Sequence, residues 1–408
     1  MPRSSSVMAV KIIMHKFPSI DYVMSLTPGG MRDGRDNVIK LMTLLWNPQN
    51  RLRVFHVTGS NGKWSVCQML SQVLWKNFWK KVWLFTSPHF IDITERFQIN
   101  GKQISETELN SYYERVVYLS QKHNILLSFF EIQVVVMVLY FCDEKIDYAV
   151  IEVWLGGTYD GTHIFTNPRA CFITSITLEH THVLGKTRAS VLKNKLGIAK
   201  PWARLYTHIR NKQIDTYCQA NRVKLLKIEK TNSNTLTNLP WKHQQKNAEL
   251  VLQSLKDEWF NEKKIKEGLS NIDNPGRFHW LSPTLLVDTA NNAENIHILA
   301  QMVMKLKYKN VITLFGTTQT EKEYARKLAD MIPAKERFII DDFCDRSLSA
   351  WEYAIIGKRE RILHFSEINK KWLKELQKQD NTVVVAYGSF YLIGEIMKLS
   401  IYKPFATG

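Results

Sequence analysis

Thr58-Gly59-Ser60-Asn61-Gly62-Lys63-Trp64-Ser65 is the stretch on which the fold turns. The β-branched run Val54–Val57 precedes it, and a helical pattern opens at about Lys63. A strand, a glycine-containing loop and a helix start, in that order, build an anion cradle. Backbone amides at the helix N-terminus point at phosphate oxygens, a lysine reaches the β- and γ-phosphates, and a hydroxyl faces Mg²⁺. The spacing is G-x-x-G-K-x-S rather than the Walker G-x-x-x-x-G-K-[ST], and an isolated loop of this composition also suits a plain surface turn. Gly59, Ser60, Asn61, Gly62, Lys63, Trp64 and Ser65 are therefore candidate nucleotide-binding residues, with Lys63 the candidate catalytic cation.

Outward from the loop, the chain alternates strands and helices. Val82–Phe85, Tyr148–Val153 and Ala170–Ile176 read as strands, each leading into a loop rich in Gly, Thr or Pro. Glu106–Ser120, Glu131–Cys142 and Gln244–Lys256 read as helices, the last after a polar, turn-rich stretch, Thr231–Asn238. Asp273-Asn274-Pro275-Gly276 marks a domain boundary. Beyond it lie strands Thr284–Val287, Val311–Phe315, Arg337–Ile340 and Thr382–Ala386, with helices between. Such alternation implies parallel α/β sheets.

Composition narrows the function classes. The 408 residues are 45% hydrophobic and 23% charged, the profile of a globular protein of two or three domains. The longest apolar run, Val134–Cys142, is far short of the ~20 residues that span a membrane. Five cysteines form no CxxC pair and no zinc spacing, which suits a reducing, cytoplasmic setting. The first sixteen residues have no sustained apolar stretch, arguing against a secretory signal. A net charge of +17 favours anionic partners, but it is spread along the chain without a basic stripe. Nucleic acid is thus a weaker expectation than small anions.

A dozen further stretches resemble, in order, the Mur-ligase superfamily, and within it bacterial folylpolyglutamate synthase/dihydrofolate synthase. They include Trp46-Asn47-Pro48-Gln49, Leu84-Phe85-Thr86-Ser87-Pro88-His89, Glu95-Arg96-Phe97-Gln98-Ile99-Asn100-Gly101 and Phe129-Phe130-Glu131. Ile151-Glu152-Val153-Trp154-Leu155-Gly156-Gly157, Glu179-His180-Thr181 and Lys195-Leu196-Gly197-Ile198-Ala199-Lys200-Pro201 follow. The series ends with Pro275-Gly276-Arg277-Phe278, Asp288-Thr289-Ala290-Asn291-Asn292 and Gly388-Ser389-Phe390-Tyr391-Leu392-Ile393-Gly394-Glu395.

The resemblance implies an α/β fold with an N-terminal P-loop-type ATPase domain and a smaller C-terminal Rossmann-like domain. The expected divisions are a loose tail over 1–16, an ATP-binding domain over 17–273 and a ligase domain over 274–408. It implies ATP-dependent amide formation in a cytoplasmic monomer, with L-glutamate added to a folate or dihydropteroate carboxylate through an acyl phosphate. Ser87, Glu152 and His180 are the implied ligands of two Mg²⁺ ions, and Lys195 the implied site of carbamylation. Asn247, Arg277 and Asp288 are implied ATP contacts, and Phe130, Glu131 and Asp160 implied pterin contacts. Each has a plainer reading: an edge acid, a turn serine, a structural histidine, a solvated lysine or ordinary helix-start packing. Another Mur-type amide ligase and a catalytically degenerate nucleotide-binding relative are the alternatives.

Two departures stand out. Asn291 replaces the family's histidine, and asparagine donates a hydrogen bond but cannot carry a positive charge near pH 7, which puts the acyl-phosphate step in question. Glycine is only 18 of 408 residues against roughly 7% usually, while tryptophan reaches 12. Trp46, Trp64, Trp79, Trp83, Trp154, Trp202, Trp241 and Trp259 all fall where the family usually has glycine. A lineage that decodes UGA as glycine, its gene rendered with tryptophan, accounts for all eight. Aromatic core substitution accounts for one or two.

Overall fold

The computed structural model describes residues 20–26, 34–226, 228, 236–318, 322–349 and 360–400. The expected N-terminal tail and most of the turn-rich stretch 231–238 lie outside these residues. Two sheets organise the chain. The first contains β1 (Val54–Thr58), β2 (Val82–Phe85), β3 (Phe97–Ile99), β4 (Lys102–Gln103), β5 (Tyr148–Glu152), β6 (Ala170–Ile173), β7 (Arg204–Tyr206) and β8 (Lys224–Leu226). Its order is β4-β3-β2-β5-β1-β6-β7-β8, parallel except at the β3 and β4 edge. The second contains β9 (His279–Ser282), β10 (Leu285–Asp288), β11 (Asn310–Phe315), β12 (Glu336–Asp341), β13 (Glu360–His364) and β14 (Thr382–Tyr387). It runs β13-β12-β11-β14-β10-β9, parallel except for β9.

Both sheets are covered on both faces, so their strands read as near-continuous apolar runs. In the first, Trp83, Phe85, Ala149 and Ile151 join one core cluster while Val82, Leu84, Tyr148 and Val150 join another. The second repeats the division, with Leu285, Val287, Val384 and Ala386 on one face and Leu286, Val383, Val385 and Tyr387 on the other. The helix Phe129–Asp143 is apolar all round, and twelve consecutive residues from Phe130 to Phe141 are buried in it. Ser128 and Glu131 start it as a capping box. Among the described residues no helix is long and apolar enough to cross a membrane.

The strand read as Ala170–Ile176 ends at Ile173. The side chains of Thr174 and Ser175 serve the loop after β1: both hydroxyls donate to the Asn61 carbonyl, at 2.5 and 3.1 Å. The Ser175 carbonyl accepts from the Ser60 amide. Where the two sheets meet, Phe90 joins the core of the second sheet. A Cβ on Gly394 would lie 1.8 Å from the Phe90 carbonyl oxygen, so a glycine in the helix Phe390–Leu399 is what lets the two backbones touch.

Four of the eight tryptophans have left-handed backbone conformations. Trp46, Trp79, Trp202 and Trp259 have φ of 63°, 54°, 69° and 64° and side chains 74–94% exposed. They account for as many positive-φ sites as asparagine does among the described residues. Asparagine tolerates that region; for a bulky residue it is an outlier. Trp83 has the opposite problem. Its fully buried ring centroid lies 3.3 Å from that of Phe141, well inside the usual 4.5–7 Å for aromatic pairs.

Candidate active site

Parallel register brings four strand ends to one edge. Val57 pairs with Glu152, Phe85 with Ile151 and Thr58 with Ile173, so the loops after β1, β2, β5 and β6 open side by side. β1 lies between β5 and β6, where the chain switches direction across the sheet, and ligands of open α/β sheets bind at such a point.

The loop after β1 is tightly made. Gly59 has φ 148°, and a Cβ there would meet Thr174 Oγ1 at 1.9 Å. Gly62, at φ 90°, starts the helix Lys63–Gln72 with Asn247 packed behind it. The Lys63 ammonium folds back onto the loop, donating to the Gly59 carbonyl at 2.8 Å. An ammonium held by a neutral carbonyl keeps its charge for an incoming anion.

Beside it, Glu152 ends β5, is nearly fully buried and accepts the Ser87 amide at 3.1 Å. Burial pushes its carboxyl up to about 7, opposed by Lys63, the Ser87 N–H, Arg277 and Arg96. The Ser87 hydroxyl is buried without a hydrogen-bond partner among the described residues. An orphaned hydroxyl next to a buried acid fits Mg²⁺, a hard cation that takes oxygen ligands and keeps several waters. Among the described residues no three His, Cys, Asp or Glu side chains cluster as a metal site, so such an ion would need phosphate or water ligands as well.

After β6, Lys195 is buried and paired with Glu179 at 2.7 Å. Burial and Lys63 lower its ammonium to about 8, against the pull of Glu179. His180, exposed and left-handed at φ 45°, sits beside this pair, and Lys63 and Lys195 both act on its charge. Glu179 is the residue that sequence reasoning passed over, although it stands next to His180 in the Glu-His-Thr stretch.

From the second sheet, Asp288 is consumed locally. Its carboxylate accepts the amides of Phe278 and Ala290, each at 2.7 Å, with Arg277 beside it. Arg277 lies 5.0 Å over the Phe390 ring and close enough to Glu152 to affect its charge. Half-buried Asn291 leads into the helix Ala293–Val303. The start of this helix grips the loop after β1: Asn61 donates to Glu294 at 2.8 Å and accepts from Asn292 and Asn295 at 3.0 and 2.8 Å.

The sequence matches the Mur ligase middle domain over residues 57–280, more than half of its length. The chain belongs to the Mur ligase family. The dihydrofolate synthase/folylpolyglutamate synthase of Bacillus subtilis is 28% identical over 90% of this chain and 95% of its own. The dihydrofolate synthetase of Saccharomyces cerevisiae is 37% identical over 40% of this chain and 39% of its own. Two solved structures share the fold. The Yersinia pestis bifunctional folylpolyglutamate synthase/dihydrofolate synthase complexed with AMPPNP and Mn ion has a TM-score of 0.79 at 24% identity, covering 93% of this chain and 96% of that one. E. coli FolC in complex with DHPP and ADP has a TM-score of 0.78 at 22% identity, covering 93% and 95%.

Several residues expected in this Mur ligase site also have local partners. Trp64 is buried against Phe90 and Phe390 in the core of the second sheet. The Ser65 hydroxyl accepts from Gln244 at 2.9 Å and Asn274 at 3.1 Å. Asp160 caps the turn Gly161–Ile164 through the Thr162 amide and hydroxyl and also holds the Leu155 amide. Glu131 completes the cap of its own helix. Phe130 is covered by the Trp154 ring, 4.9 Å between centroids.

Proposed function

We propose that this Mur ligase joins L-glutamate to the carboxylate of a folate or dihydropteroate at the expense of ATP. The convergence of Lys63, Ser87 and Glu152 at three adjacent strand ends carries this reading. The likeness to folylpolyglutamate and dihydrofolate synthases along nearly the whole chain supports the substrate class. Residues 17–273 would form the ATP-binding unit and 274–408 the closing unit.

In the first step an oxygen of the acceptor carboxylate bonds to the γ-phosphorus and the bond to the β-bridging oxygen breaks, releasing ADP. Lys63 turns from the Gly59 carbonyl to the phosphates and offsets their charge, a contribution of the kind that dominates phosphoryl transfer. In the second step the glutamate amine attacks the acyl carbon, phosphate leaves, and the amine gives up a proton. Ser87 and Glu152 would hold one Mg²⁺; His180 and a carbamate on Lys195 would hold another. Bound there, the ions neutralise the charge of the phosphates. Carbamylation needs the neutral amine, which a lysine lowered to about 8 supplies more readily than a solvated one. One N–C bond forms with CO₂ and one proton is lost. Asn291 serves as a hydrogen-bond donor only.

The test is phosphate release from ATP with Mg²⁺ and L-glutamate, with and without a pteroate or folate acceptor. Acceptor-dependent release is expected; equal release in both would overturn the proposal. Nucleotide binding without ligation is the second reading, favoured by the indole of Trp154 over Phe130.

A further inference from the structure

Arg96 is only 5% exposed, yet among the described residues no carboxylate lies within ion-pairing distance of it. Its Nε donates to His89 Nδ1 at 3.1 Å, and its guanidinium lies 5.3 Å over the Phe129 ring. An imidazole is either neutral or cationic, so the histidine brings no countercharge. The two terminal nitrogens have no hydrogen-bond partner among the described residues. A guanidinium withdrawn from water and left uncompensated is costly, unless a ligand brings the anion.

The chain goes to some length to place this group. Glu95 accepts the amides of Phe90, Ile91 and Asp92 at 2.7, 2.8 and 3.0 Å, closing the loop that carries Phe90 to the second sheet. The Arg96 carbonyl then accepts the Thr86 amide, which sets Arg96 beside Ser87. Glu152 and Tyr113 from its own unit, and Tyr391 and Arg346 from the other, all act on its charge. Glu152, the one acid among them, already faces Lys63 and Arg277. The phosphates have a separate cradle in the loop after β1.

We propose that Arg96 binds a carboxylate of one of the two reactants beside Ser87 and Glu152. The planar fork of a guanidinium matches a carboxylate through two parallel bonds. This rests on the ligase reading, in which acceptor and amino acid both carry that group.

The experiment compares parent protein, Arg96→Gln and Arg96→Lys in steady-state kinetics at saturating ATP, with ADP affinity measured by calorimetry as the control for folding. KM for one carboxylate substrate should rise about 10- to 100-fold in Arg96→Gln. ADP affinity should stay within about twofold, and Arg96→Lys should recover part of the loss. A rise confined to the acceptor assigns the carboxylate to it, and one confined to L-glutamate assigns it to the amino acid. Unchanged KM values for both, or ADP affinity falling in step with them, would overturn the proposal. Equilibrium binding of pteroate and of L-glutamate to the same proteins reads the contact without turnover. A parent that binds them but releases no phosphate would break the ligase reading while the Arg96 contact is still measured.

Discussion

Glu152 and Asp288 occupy matching places, each the last residue of a parallel strand, β5 or β10, and each buried. Burial raises both carboxyls from their ordinary values, yet the two are used differently. Asp288 spends both oxygens on amides of its own connections. Glu152 accepts one amide and otherwise faces cations and an unpartnered hydroxyl. An acid with both oxygens on backbone amides shapes a loop, whereas one that accepts a single amide and faces cations has more capacity left for a ligand. In the proposed reaction the chemistry would accordingly belong to the edge of the first sheet, with the second sheet supplying Arg277 and the grip on Asn61.

The largest expected effect tests that division directly. Lys63→Ala and Glu152→Ala should each lower kcat by about 10²–10³ with little change in melting temperature. Asp288→Ala should do the reverse, lowering the melting temperature by leaving two buried amides unsatisfied, at about 1–3 kcal/mol each, while the folded fraction keeps much of its kcat. Equal kinetic losses at both positions, measured on folded protein, would erase the contrast.

Lys195→Ala sharpens it further. This change should also abolish most turnover, and a small carboxylic acid added to the assay should restore part of it by standing in for the carbamate. Full activity of Lys195→Ala at saturating substrates would reduce the buried Lys195–Glu179 pair to a structural one.

Smaller effects are expected away from the strand ends. Returning Trp46, Trp79, Trp202 or Trp259 to glycine should stabilise the protein by up to about 1–2 kcal/mol per site, read as a higher melting temperature, because only glycine takes left-handed φ without a steric cost. UGA codons at these positions would explain the four together; UGG codons, or no gain in stability, would refute the recoding. The same change at Trp154 uncovers Phe130 and should tighten acceptor binding.

The effect farthest from turnover is a pH dependence of stability. His56 is fully buried, its Nε2 2.9 Å from Thr162 Oγ1, and burial with nearby Lys200 lowers it to about 3. Its folded pKa lies below the ordinary 6.5, so the unfolded chain takes up the proton first. Its contribution to stability is therefore full above about pH 6.5 and falls toward pH 3, by at most about 1.4 kcal/mol per unit. Denaturant titrations between pH 7 and 4 should show that slope flattened in His56→Gln.

The sequence by itself determined the alternation of strands and helices and the glycine-containing loop between β1 and its helix, because these are written in local periodicity and turn chemistry. Strand ends were missed by one to three residues where side chains serve a neighbouring loop, as at Thr174 and Ser175. The excess of tryptophan was legible as composition, but left-handed backbone at four of the sites was not, since φ is set by how helices end and chains turn in space. Glu152, Asp160 and Glu131 were all legible as candidate acids, and only the structure shows the caps that Asp160 and Glu131 form. The pairing of Glu179 with Lys195, the grip of Asn292, Glu294 and Asn295 on Asn61, and the uncompensated charge of Arg96 join residues 16 to 234 positions apart or depend on what does not approach. The first and last of these need only the loops of the first sheet to come together, whereas the grip on Asn61 exists only once the second sheet is packed against it. Burial there fixes which charges are answered within the protein and which await a substrate.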